Sequence, residues 1–176
     1  MGLKRSNLGS SGFVPQAVTE LLAAETHDEA KAAYWKLDNR VVVQGQLFES
    51  AQHVIGPLLV GLQGPLSAAR HRVVDLLVEF VLAVPDESEN ARGKLNVDQA
   101  CREEIARGTW SIYPLLEDPD ARVREGAIEL LDAVESDRER LVAVLAPLVE
   151  ADPEDRVRNR AAEVRSGLPM SESPPE

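Results

Sequence analysis

The chain has 176 residues, of which 44% are hydrophobic and 4% aromatic, and its 30 Asp and Glu against 19 Lys and Arg give a formal charge of -11. Leu, Val and Ala without aromatics describe packed helices better than sheets, and the length suits one domain. The acids are spread along the chain and the longest basic run is Lys4-Arg5, which excludes the clustered cations that nucleic-acid binding requires.

Cys101 is the single cysteine, so an intrachain disulfide is excluded and a reducing compartment is suited. No stretch is apolar over a membrane-spanning length and no apolar segment marks a signal peptide, so the expected location is cytoplasmic.

Residues 1–12, rich in Gly, Ser and Asn, are expected to be disordered, with order beginning near Phe13. A first helix is predicted over 15–24, with Pro15 in its first turn and Ala17, Val18, Leu21 and Leu22 at helical spacing. A second is predicted over 27–37. Asp28 and Glu29 stand early and Lys36 late, the sense a helix dipole prefers, and Ala30, Ala33, Tyr34 and Leu37 form its apolar face.

Residues 41–62 are mostly apolar, interrupted by Gly45, Ser50, Gly56 and Pro57, and read as two helices meeting near 50–53. After Gly64-Pro65, the residues Val73, Val74, Leu76, Leu77, Phe80, Val81 and Val84 predict a strongly buried helix ending before Pro85. Residues 85–94 are polar and aperiodic, an exposed loop. Helices follow over 96–107, 109–117, 119–135, 137–151 and 153–166, with breaks at Gly108, Asp118-Pro119, Ser136 and Asp152-Pro153. The tail 167–176, with three prolines and two serines, is expected to be disordered, leaving 13–166 as the domain.

The last third repeats itself. Asp118, Val123, Arg124 and Ala127 recur 34 positions later as Asp152, Val157, Arg158 and Ala161, while Pro114 and Pro147 lie 33 apart. Such a period means one supersecondary unit is reused, each burying its apolar side against a neighbour. In each copy Asp precedes Pro, which predicts an N-cap: the carboxylate accepts free N–H groups, and Pro at the first helical position forfeits no hydrogen bond.

An apolar first helix carrying Pro, an Asp in the turn and Val-Arg in the second helix resemble the HEAT repeat over 110–166. Ile55-Gly56-Pro57-Leu58-Leu59 opens a looser copy over 53–84, where Gly61 to Gly64 replace the Asp turn and Arg70 or Arg72 approximates the Arg position. Residues 13–52 join by helical pattern alone, and the period is shorter than the roughly 40 to 47 residues usual for HEAT. The resemblance implies an all-α fold, an armadillo-type α-solenoid of about four stacked hairpins. It also implies a structural ladder between repeats, pairing Asp118 with Arg158 and Asp152 with Arg124.

Chemistry is harder to find. His27, His53 and His71 are far apart in sequence, no His-Glu dipeptide occurs, and no phosphate-binding loop or serine-nucleophile motif is present. No catalytic residue, metal or cofactor is therefore expected, and the protein is read as a non-enzyme.

What remains is surface. Glu125, Glu129 and Asp132 stand at i, i+4 and i+7 on one second helix, and Asp75 and Glu79 on an earlier one. In HEAT proteins second helices line the concave side, so these acids, with Trp35 as an aromatic anchor beside Tyr34, predict a site for another protein with a basic patch. The same spacing also describes a solvated face. The expected function is a protein-binding scaffold or adaptor, in its sharper form an immunity or inhibitor protein covering a nuclease toxin's basic site. The alternative is a structural self-assembly module with an apolar interface. The protein is expected as monomer or homodimer, with neither nucleic acid nor membrane as partner.

Overall fold

The computed structural model describes residues 13–43, 46–65, 68–85 and 96–167; the expectations for 1–12, for the loop beyond Pro85 and for 168–176 fall outside the described residues. Helix α1 (Phe13–Leu22) buries Ala17, Val18 and Leu21, and α2 (His27–Val41) follows after a short turn. The start of α2 is fixed by a reciprocal cap. Thr26 Oγ1 accepts the Glu29 N–H at 3.2 Å, and Glu29 Oε2 accepts the Thr26 N–H at 3.2 Å, so two otherwise orphaned donors are satisfied.

Helix α2 runs to Val41, past the predicted end, and the helix expected next does not form. Val41-Val42-Val43 is β-branched and favours extended backbone. The chain passes into strand β1 (Val42–Val43), antiparallel to β2 (Gln46–Leu47), which pairs in parallel with β3 (Val84–Pro85). Leu47 is fully buried there, whereas Val84, read from the sequence as the last residue of a buried helix, is exposed. The fold is mostly helical all the same.

A 3-10 turn at Glu49–Ala51 leads into α3 (Gln52–Gly61), which carries Pro57 on its exposed side. Helices α4 (Arg70–Leu82), α5 (Val97–Arg107), α6 (Thr109–Ile112), α7 (Ala121–Val134), α8 (Arg138–Ala151) and α9 (Asp155–Ser166) complete the described chain. The continuous helix predicted over 109–117 stops at Ile112 and tightens into a 3-10 turn, Tyr113–Glu117, where Pro114 has no N–H to continue the ladder.

Helices α2, α4, α7 and α9 lie side by side in chain order, with α1, α3 and α5 forming a second row and α8 packed on α9. One core cluster runs from Ala17 to Val164 through both rows. It includes Cys101, a buried free thiol.

A repeated backbone contact sets this register. Arg70, Arg124 and Arg158 each donate from the guanidinium to the carbonyl six residues earlier, those of Gly64, Asp118 and Asp152. Arg124 also grips Asp152 with two hydrogen bonds, at 2.7 and 2.8 Å. Asp118, paired with Arg158 by the sequence argument, instead accepts from Arg70 at 2.8 Å, while Arg158 turns to Asp155. Each Asp therefore receives the arginine of the preceding second helix, not of the following one. The N-cap expectation is corrected too. Asp118 and Asp152 accept the N–H two residues on, at 2.9 Å, closing a turn around the proline, and the helices begin later, α7 with the Asp120 side chain as its cap and α9 after Glu154 without a side-chain cap.

With the arginines aligned, positions four and seven residues beyond them correspond: Val74 and Leu77 in α4, Ile128 and Leu131 in α7, Ala162 and Arg165 in α9. The first four are buried. Ala162 is exposed and Arg165 half-buried.

Candidate partner-binding site

The row of second helices brings the predicted acids together. Asp75 and Glu79 on α4 and Glu125 and Glu129 on α7 line one depression of about 380 Å³, together with Tyr34 of α2 and Arg122 of α7. Gly126 lets the helices approach this closely: a Cβ there would stand 2.4 Å from Val74 Cγ1. Asp132 and Trp35, named with these acids from the sequence, do not line the depression. Trp35 is 49% exposed and meets the Tyr34 ring edge-on at 5.3 Å.

The acidic row is partly answered by arginines from the neighbouring hairpin. Arg156 of α9 lies 3.6 Å from Glu125, Arg160 lies 3.9 Å from both Glu129 and Asp132, and Arg138 bonds Asp132 at 3.0 Å. Those pairs are solvent-facing and worth little individually.

Between α2 and α4 the carboxyls interact with one another. The Tyr34 hydroxyl donates to Glu79 Oε1, while Glu79 Oε2 is enclosed without a hydrogen-bond partner. Burial pushes the Glu79 carboxyl up to about 7, against the Tyr34 bond that favours its charged form and with Asp38 and Asp75 adding to the rise. Asp75 is also raised, by burial first, although Arg72 bonds it at 3.2 Å. The same Arg72 sits 5.2 Å over the Tyr34 ring, a cation–π contact. Tyr34 itself is held protonated by burial and by Glu79.

Sequence reasoning named Tyr34 only as a helix-face residue beside Trp35 and missed Asp38 as part of this group. Their i, i+4 spacing on α2 was the available signal. It also treated the histidines as unrelated, yet His27 and His71 meet at 5.6 Å between ring centroids, and His27 Nδ1 reaches the Ala68 carbonyl at 3.1 Å.

Burial pushes the Cys101 thiol up to about 12, leaving it without thiolate character near neutrality. Among the described residues no three His, Cys, Asp or Glu side chains are arranged to hold a metal ion, and no helix is long and apolar enough to cross a membrane. A second depression, about 540 Å³, lies between α1 and α3 and is lined by Val14, Val18, Leu22, Val54 and Pro57 among others.

Comparison with known protein families, with curated proteins and with solved structures finds no match.

Proposed function

We propose that the protein is a small HEAT-type α-solenoid that binds a basic protein partner through the depression between α2, α4 and α7, acting as an adaptor or as an inhibitor of the immunity-protein kind. The observation that carries this reading is the convergence of Asp75, Glu79, Glu125 and Glu129 on one hollow, in a chain of formal charge -11. The repeated arginine-to-carbonyl contact and the row of second helices support the solenoid part. An acidic hollow attracts a Lys- or Arg-rich surface over distance and raises its on-rate. Trp35, exposed on the adjoining helix, supplies apolar contact area of the type that anchors interfaces.

The test is capture of partners from native lysate at two salt concentrations, with wild type beside Glu125→Lys/Glu129→Lys. A basic protein lost at higher salt and lost again in the double variant supports the reading. Capture unaffected by the double variant rejects the acidic site.

A second reading, self-assembly, is favoured by the hollow between α1 and α3, whose lining holds no carboxylate. Light scattering separates the two: a salt-resistant dimer belongs to assembly, a monomer to the adaptor.

A further inference from the structure

The contact between α2 and α4 carries, beside its apolar residues, a cluster of carboxyls with Arg72 over the Tyr34 ring and bonded to Asp75. From α2 come Tyr34 and Asp38, from α4 Asp75 and Glu79, and across the hollow α7 presents Arg122, Glu125 and Glu129. One Glu79 oxygen takes the Tyr34 hydroxyl and the other is enclosed without a donor. Three carboxyls held this close do not all ionise without mutual repulsion, and a proton on Glu79 both removes a charge and supplies a donor toward Asp38.

Nearer the start of both helices lies buried His71, against the His27 ring. It faces Arg72 and Asp75 from α4, Arg122 from α7 and Asp120 just before it. Burial first, and then the two guanidinium groups, oppose an imidazolium against Asp75 and Asp120, so this end favours the neutral ring.

We propose that proton occupancy along this contact sets how firmly the α1–α2 pair is held on the rest of the fold: docked while Glu79 is protonated and His71 neutral, loosened when either condition fails. The directions follow from the shifts. Glu79 is raised from 4.5 to about 7, so its contribution is complete below 4.5 and is lost as pH rises through about 7. His71 is lowered from 6.5, by burial first and then Arg122 and Arg72, so its contribution is present above 6.5 and is lost as pH falls through the folded value. Docking is therefore firmest in mildly acidic solution.

Hydrogen exchange of the full chain, read by mass spectrometry and corrected for the intrinsic pH effect, tests this at about pH 6 and about pH 8.5. Amides of α1 and α2 are expected to lose about tenfold in protection at the higher pH while those of α8 and α9 hold within about twofold. Glu79→Gln, which keeps an acceptor for Tyr34, is expected to abolish the loss. The same loss in every helix, or a full loss persisting in Glu79→Gln, overturns the proposal. Should that variant not fold, Asp38→Asn removes one of the repelling charges without touching the Tyr34 bond. A loss in it smaller than wild type supports the proposal, and an equal one overturns it.

Discussion

The contact of α2 with α4 and that of α7 with α9 solve one problem with opposite chemistry. Between α7 and the turn before α9, Arg124 and Asp152 form a buried pair with side chains 8% and 2% exposed, and the same guanidinium reaches the Asp118 carbonyl. Arginine keeps its charge over any accessible pH, and Arg124 holds the Asp152 carboxyl below its usual range. This lock is present above pH 3.8, the unfolded value, and fails only as pH falls through the lower folded one. Between α2 and α4 the carboxyls of Asp38, Asp75 and Glu79 cluster beside Tyr34 with Arg72 over its ring, and Glu79 is raised to about 7, so its charge is adjustable near neutrality. Opposite fixed charges give a permanent joint, and like titratable charges give a conditional one.

The largest expected effect breaks the permanent joint. Arg124→Ala leaves Asp152 buried without its cation and the Asp118 carbonyl without its donor, and is expected to cost roughly 3 to 5 kcal/mol in urea unfolding at neutral pH. Next comes the close approach of α4 and α7. Gly126→Ala forces a methyl into Val74 and is expected to cost about 2 to 3 kcal/mol. Val74→Ala in the same chain should recover part of that loss, a coupling measurable in a double-mutant cycle.

Arg70→Ala removes the equivalent lock one hairpin earlier. Its side chain is 26% exposed against 5% for Asp118, so solvent screens the pair and the expected cost is about 2 kcal/mol. The ordering of Arg124 over Arg70 sharpens the comparison, and equal costs would show that burial does not set the strength of the joint. The smallest effect is local. Thr26→Ala removes one half of the cap on α2 and is expected to cost about 1 kcal/mol, read from thermal unfolding.

How much of this was legible in the sequence depended on whether a contact used side chains or backbone. Asp118, Arg124, Asp152 and Arg158 show as a repeat because the guanidinium and carboxylate are both written in residue identity. The earlier copy is obscured because Gly64 supplies only its carbonyl to Arg70, and any residue carries a carbonyl. At the first contact His27 reaches the Ala68 carbonyl, with no arginine to mark the place. The three two-residue strands carry no periodicity to detect. The acidic spacing on α4 and α7 picked out Asp75, Glu79, Glu125 and Glu129, which share the depression, and Asp132, which does not, while Arg156 and Arg160, which face those acids, stand on another helix. Helical spacing describes one helix at a time and is silent on what its neighbour brings.

The positions aligned after the arginines also bear on growth. Ile128 and Leu131 are greasy and covered, whereas Ala162 and Arg165 at the matching places in α9 are too short or too charged to grip another helix. A helix laid there would strip water from a guanidinium and gain little apolar contact in return. The α9 flank thus offers a further helix less apolar contact than the α7 flank offers α9.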